Sequence, residues 1–111
     1  MSFSVDVKDN NSIIRCMVEK LDTMNAPDLK SQFVLLSKNG DNNLIVDLSQ
    51  VKYCDSSGLS ALLVGNRLAK ENKGKLIIFG LQSAVEKIIS ISQLDTVFQI
   101  VLNEENALLK S

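Results

Sequence analysis

Two adjacent hydroxyls, those of Ser56 and Ser57, are the groups in this chain best placed for chemistry. They lie in the run Asp-Ser-Ser-Gly-Leu at residues 55–59, between an apolar stretch typical of a buried strand and an amphipathic stretch typical of a helix. The start of a helix leaves backbone N–H groups without intrahelical partners and carries the positive end of the helix dipole, so it can hold an anion. Because the chain contains no histidine, we expect these hydroxyls to carry a phosphate rather than to attack a substrate. The spacing alone is equally consistent with two serines that only cap the helix.

Catalysis fits this composition poorly. The absence of histidine removes the commonest general base and the commonest metal ligand. A serine nucleophile of the elbow type needs Gly-x-Ser-x-Gly, whereas Cys54 stands two residues before Ser56. The sequence contains neither the phosphate-binding Gly-rich loop that ends in Gly-Lys-Ser/Thr nor the dinucleotide-binding Gly-x-Gly-x-x-Gly. We therefore predict that the protein is not an enzyme, with a small serine-dependent hydrolase as the distant alternative.

Three aspartates and two cysteines could suggest a metal site. Asp22, Asp47 and Asp55 could each lie near a strand end, but simpler roles suit them: a loop hydrogen bond, a strand turn and a helix N-cap, respectively. Cys16 and Cys54 lack metal-type spacing, and we expect both to be reduced and buried, with a disulfide between them as the minor alternative. The sequence predicts neither a metal ion nor another cofactor.

Composition indicates one globular domain over residues 1–111. The net charge of −1 argues against a nucleic-acid partner, for which clustered Lys and Arg would be expected. No apolar stretch approaches the roughly 20 residues that span a bilayer, and the first residues do not resemble a secretory signal. We predict a cytoplasmic protein with no direct membrane insertion.

Alternating strand and helix patterns predict an α/β fold with the order ββαβαβαβα. Right-handed crossovers then give a mixed, mostly parallel sheet with about four packed helices, to which the first hairpin adds an antiparallel pair. The predicted elements are a hairpin within residues 4–19, a helix capped by Asn25 and ended by Gly40, a strand over 44–48, a helix over 57–72, a strand over 76–79, a helix opened by Ser83 and Glu86 in a capping box, a strand over 97–102 and a terminal helix from 103.

Two motifs in this sequence resemble those of STAS domains, specifically the bacterial anti-sigma factor antagonists. Residues 51–62, Val-Lys-Tyr-Cys-Asp-Ser-Ser-Gly-Leu-Ser-Ala-Leu, are similar to the family signature. Residues 21–29, Leu-Asp-Thr-Met-Asn-Ala-Pro-Asp-Leu, resemble its second motif, and the element order agrees over essentially the whole chain. The resemblance implies a single STAS domain.

The same resemblance implies a phosphoswitch. In such proteins the serine directly after the Asp is phosphorylated, which corresponds to Ser56 here. The dephosphorylated form binds an anti-sigma factor that is also a serine kinase, phosphorylation breaks that complex, and a PP2C-type phosphatase resets it. The kinase supplies ATP and magnesium, so this chain needs no cofactor of its own.

Roles for the neighbouring residues follow from the resemblance. We expect Asp55 to orient the acceptor and to contact the partner or the metal-bound nucleotide of the kinase. Ser57 and Gly58 would shape the helix opening and Leu59 would anchor it, all three as part of the partner-binding site. The adjacent loop would be lined by Asp22, Thr23 and Asn25, and the exposed side of the second helix by Asn66, Arg67 and Lys70. The open alternatives are a STAS subunit of an ABC-type transporter or of a stress-signalling complex, and the oligomeric state stays open between monomer and dimer.

The charge of a phosphate suggests how such a switch works. Phosphorylation of Ser56 would add about −1.5 to −2 charge beside Asp55 and near Asp22. We expect the helix N-terminus to accept this charge, so that the fold survives. A partner packed on the same spot would instead face a new charge and its desolvation cost.

Overall fold

The chain begins with a hairpin whose turn follows from its residue types. Strands β1 (Phe3–Lys8) and β2 (Asn11–Cys16) pair antiparallel. Asp9 and Asn10 join them with φ values of 52° and 66°. Two-residue hairpin turns of this kind require positive φ at both positions, which Asn and Asp tolerate better than most residues. The predicted hairpin is confirmed.

The structure is a computed structural model that describes residues 2–111. Beyond the hairpin, its strands are β3 (Lys20–Leu21), β4 (Asn43–Asp47), β5 (Tyr53–Cys54), β6 (Lys75–Phe79) and β7 (Gln99–Val101). Its helices are α1 (Ala26–Lys38), α2 (Ser56–Glu71), α3 (Ser83–Ile91) and α4 (Glu104–Lys110), with a 3-10 turn at Leu94–Thr96.

Five strands form one sheet in the order β1-β2-β4-β6-β7, in which every pair except β1–β2 is parallel. The predicted fold class, α/β with a mixed, mostly parallel sheet and four helices, is confirmed. Strands β3 and β5 form a separate two-stranded parallel ribbon that the predicted element order lacks. Each has two residues, which is too short for a period-2 pattern to show.

The main sheet buries both of its faces. One face of the sheet packs against α1, α2 and α3 to form the larger core. Phe33 of α1 and Leu62 of α2 are among the fully buried residues of this core. The other face presents Ile13, Ile45 and Ile77, and Ala107 of α4 packs against them. Within residues 2–111, no helix is both long and apolar enough to cross a membrane.

Several element boundaries differ from the sequence prediction, most of them by one residue. Helix α2 begins at Ser56, one residue earlier than expected, and β7 spans only residues 99–101. The predicted capping box of α3 is wrong, because Gln82 is the N-cap and Ser83 is already the first helical residue. The Gln82 side chain makes no cap bond and instead donates to the carbonyl of Ser49 at 2.7 Å, a tertiary contact at the start of this helix. The end of α1 is as predicted, with Gly40 in a left-handed conformation at φ 85°.

Candidate functional site

The small β3–β5 ribbon brings the two sequence motifs together. Its strands are parallel, with Leu21 opposite Cys54. The N–H of Asp55 donates to the carbonyl of Leu21 at 3.1 Å, which extends the ladder by one step. Asp22 and Asp55 therefore follow directly on neighbouring strands, which lie about 5 Å apart in a sheet. The loop before α1 and the start of α2 form one continuous site.

Asp55 determines how α2 begins. It adopts an extended conformation at the N-cap, and its Oδ1 accepts hydrogen bonds from the N–H groups of Ser57 at 2.9 Å and Gly58 at 3.1 Å. The predicted N-cap role of Asp55 is confirmed. The Asp55 carboxylate therefore already occupies two of the N–H groups with which the helix start was expected to hold a phosphate.

Ser56 is the first residue of α2 and is exposed. Ser57, one position further, is only half-buried and supplies its N–H to the cap. The two hydroxyls are thus not equivalent: the helix geometry presents Ser56 to solvent and draws Ser57 partly inward. A modifying enzyme can reach an exposed hydroxyl at a helix start without any unfolding of the protein that carries it.

Gly58 and Leu59 lie beneath the site rather than on it. A Cβ at Gly58 would come within 2.6 Å of both the Cys54 Sγ and the Leu21 carbonyl oxygen, so only glycine fits this first turn. Leu59 has 6% of its surface exposed and packs in the larger core. This burial agrees with the expected anchoring role of Leu59 and leaves little of its side chain for a partner to contact.

The loop between β3 and α1 is held by its own side chains. Asp22 Oδ1 accepts from the N–H of Met24 at 3.0 Å, which confirms the predicted loop hydrogen bond. The Asn25 side chain accepts from the N–H of Asp22 at 3.0 Å and donates to the carbonyl of Lys20 at 2.7 Å. Asn25 stands at the N-cap of α1 as predicted but makes no side-chain cap bond, because its amide fixes the loop instead. Thr23 is left exposed at the tip.

Two exposed apolar side chains, one in this loop and one in β5, were not among the predicted site residues. Met24 is 86% exposed and Tyr53 is 49% exposed. Met24 follows Thr23 in the loop, and Tyr53 belongs to β5, two residues before Asp55. Tyr53 is exposed on β5 beside the buried Cys54, and a strand of two residues carries no alternation from which the sequence could have predicted this.

A shallow groove runs along the outer face of α2. It is lined by Ser60, Leu63, Val64, Asn66, Arg67, Lys70 and Glu71. Of the three residues predicted for this side of the helix, Arg67 and Lys70 are exposed. Asn66 is only 6% exposed and so is largely withdrawn from the surface. Arg67 forms an ion pair with Glu71, one helical turn later, at 3.2 Å. Lys70, the other cationic side chain that lines the groove, forms no ion pair within residues 2–111.

The two cysteines are free and buried, as predicted. Burial, with a smaller contribution from Asp55, raises the pKa of the Cys54 thiol to about 12, and burial likewise raises the pKa of Cys16. Both thiols are therefore protonated at neutral pH and are poor nucleophiles.

Asp47 accepts from both the N–H and the hydroxyl of Ser49, which matches its predicted place in a strand turn. Within the described part of the chain, no three His, Cys, Asp or Glu side chains are grouped closely enough to hold a metal ion.

Comparison with known proteins assigns this chain to a family. The family model of the STAS domain matches residues 2–107. The chain is 28% identical to the anti-sigma-B factor antagonist of Bacillus subtilis over 106 residues, which cover 95% of this chain and 96% of that protein.

Solved structures share the fold. An anti-sigma factor antagonist from Mycobacterium paratuberculosis superposes with a TM-score of 0.87 at 22% identity, covering 97% of this chain and 91% of the other. The Bacillus cell fate determinant SpoIIAA in its phosphorylated form gives a TM-score of 0.74 at 20% identity, covering 97% of each chain.

Proposed function

This chain belongs to the STAS domain family, and we propose that it is an anti-sigma factor antagonist switched by phosphorylation of Ser56. In its dephosphorylated form it binds an anti-sigma factor that is also a serine kinase. Phosphorylation by that kinase ends the complex, and a PP2C-type phosphatase restores the binding form. The observation that carries the proposal is the exposed hydroxyl of Ser56 at the first residue of α2, within a motif typical of the family.

The partner would dock on the surface that surrounds this hydroxyl. Thr23, Met24 and Tyr53 are exposed in the β3–α1 loop and in β5. The groove along α2 begins at Ser60, about one turn after Ser56, and extends to Glu71. Met24 and Tyr53 supply apolar area, which gives interfaces much of their binding energy when they become buried. The polar groups around them would fix the orientation of the partner.

The effect of phosphorylation follows from the capped helix start. The phosphate adds about −1.5 to −2 charge next to Asp55, and Asp22 lies about one strand spacing away. Since the N–H groups of Ser57 and Gly58 already bind the Asp55 carboxylate, they do not neutralise the new charge. It stays at the surface, where an approaching partner would have to desolvate it beside two acids. The fold tolerates the same change because Ser56 is exposed.

The chemistry of the switch belongs to its partners. The kinase brings ATP and magnesium, and the phosphatase brings its own metal, so this chain contributes only the acceptor hydroxyl and the docking surface. We place the exchange in the cytoplasm, where an anti-sigma factor and its sigma factor meet.

Substitution of Ser56 tests the proposal directly. We expect Ser56→Asp to weaken binding to the anti-sigma kinase encoded in the same genome by roughly 100-fold, because it introduces an unpaired charge into the interface. Ser56→Ala should bind like the natural protein and take up no phosphate. Isothermal titration calorimetry with the purified kinase measures the first effect, and intact mass after incubation with kinase and ATP measures the second.

Ser83 provides a matched control, because it is the exposed first residue of another helix, α3. Ser83→Asp should bind the kinase with unchanged affinity. Equal binding by Ser56→Asp and the natural protein would rule out the switch, as would a phosphate that mass spectrometry locates on a residue other than Ser56.

A further inference from the structure

The outer face of α1 carries a line of exposed residues that we call the α1 stripe: Asp28, Ser31, Leu35 and Lys38. Their spacing of three, four and three residues puts them on one side of the helix, as in the seam of a coiled coil. Leu35 is 55% exposed, and Val34 beside it is 40% exposed. Two large apolar side chains thus lie on the surface of this short helix.

The residue types along the α1 stripe would complement those of a second α1 stripe that runs antiparallel to it. An acid stands at one end and a base at the other, with a small and a large side chain between them. If a second α1 lies antiparallel across the first, with the two-fold axis at the level of Phe33, Asp28 faces Lys38 of the other copy and Ser31 faces Leu35. Each of these contacts occurs twice, since a two-fold interface repeats every pair.

We propose that the α1 stripe is a self-association surface on which a second copy of this chain packs its own α1 in the antiparallel direction. Charge complementarity selects this occupant: both ion pairs form in the antiparallel pair, whereas a parallel pair would place lysine against lysine. Size complementarity acts in the same direction, because Leu35 projects toward the space above the small Ser31. The α1 stripe shares no residue with the proposed docking surface around Ser56.

The expected dimer is weak. Helix α1 has 13 residues and is about 20 Å long, so a single pair of such helices buries less than the roughly 1,200–2,000 Å² of a stable interface. Exposed ion pairs add little to affinity, and most of it would come from Leu35 and Val34. We expect a dissociation constant of about 0.1–1 mM.

Charge exchange on the α1 stripe tests the proposal with the full chain alone. Sedimentation equilibrium between about 10 µM and 1 mM should show a reversible dimer for the natural protein. Asp28→Lys and Lys38→Asp each create like charges at both contacts and should each weaken the dimer roughly tenfold. An equimolar mixture of the two variants should regain dimerisation, because every contact in the mixed dimer then joins a lysine of one chain to an aspartate of the other.

Further variants separate the α1 stripe from general effects. Lys87→Asp, on the exposed side of α3, makes the same charge change elsewhere and should leave the dimer unaffected. Leu35→Ser should weaken the dimer without affecting the first turn of α1, so it keeps the test valid if Asp28→Lys does not fold. Circular dichroism melting checks the fold of each variant.

Two results would overturn the proposal. One is a natural protein that remains monomeric at 1 mM. The other is a dimer whose strength is the same in all variants, since it would then use another surface such as the free edge of β1. Ser56→Asp should dimerise normally, so the fate of this proposal is independent of the proposed switch.

Discussion

The carboxylate of Asp55 stabilises the start of α2, whatever part it also plays in partner binding. Its Oδ1 holds the N–H groups of Ser57 and Gly58, and its own N–H joins the ladder to Leu21. These bonds place α2 so that Ser56 comes first and points into solvent-accessible space. A residue in this position can affect partner binding through geometry as well as through charge.

Two substitutions of Asp55 separate these effects. Asparagine is as good an N-cap as aspartate, so Asp55→Asn should keep the free energy of unfolding nearly unchanged while it removes the charge. Asp55→Ala removes the cap and should lower the free energy of unfolding by about 1 kcal/mol. Urea denaturation measures both. Equal stability of Asp55→Ala and the natural protein would contradict the cap role, and partner binding by Asp55→Asn then reports the effect of charge alone.

Helices α1 and α2 are held together at a close approach. A Cβ at Gly65 of α2 would lie 2.7 Å from two ring carbons of Phe33 in α1. Phe33 is fully buried, so the ring has no free space to move into. The glycine therefore sets the distance between the helix that carries the proposed acceptor and the helix that carries the α1 stripe.

We expect Gly65→Ala to lower the free energy of unfolding by about 1–3 kcal/mol, because overpacking outweighs the better helix propensity of alanine. Phe33→Leu removes the clashing ring and should offset part of that cost. The combined loss in the double variant should then be smaller than the sum of the two single losses. Chemical denaturation of the four proteins measures this coupling, and strict additivity would show that the two residues do not clash.

The far side of the sheet is closed by α4, which is held in place partly by charges. Arg15 pairs with Asp6 at 2.9 Å, with Asp47 at 3.2 Å and with Glu104, the first residue of α4. Lys8 reaches Glu104 at 2.7 Å. Hydrogen bonds from Arg15 and Lys8 lower the pKa of Glu104 to about 2. The pairs thus connect the N-terminal hairpin to the C-terminal helix.

Glu104→Gln should lower the free energy of unfolding by about 1–2 kcal/mol at pH 7. The folded pKa is about 2 and the ordinary value is 4.5, so this contribution is fully present above pH 4.5 and is lost as the pH falls toward 2. Urea denaturation at pH 7 and at pH 3.5 should show a smaller difference at the lower pH. Glu105→Gln, an exposed neighbour, is the control, and an equal loss in that variant would contradict a specific role for Glu104.

Local features of this protein were predictable because they depend on neighbours in the chain. The Asp9–Asn10 turn, the capping role of Asp55 and the end of α1 at Gly40 each depend on the conformational preference of one or two residues. The alternation of apolar strands and amphipathic helices likewise specifies a mostly parallel α/β sheet. Each helix carries the chain back to the end of the sheet at which the preceding strand began, so the next strand runs in the same direction. For the same reason the position of Ser56 at a helix start could be inferred.

Other features were decided by contacts between distant segments. The β3–β5 ribbon, which puts Asp22 beside Asp55, consists of strands of two residues that carry no periodic signal. The packing of the core turned Leu59 inward and left Met24 exposed, and an apolar residue type is compatible with either outcome. Local preference determines which element forms, whereas burial is a property of the whole packed chain, so only the tertiary structure shows which side chains remain on the surface for a partner.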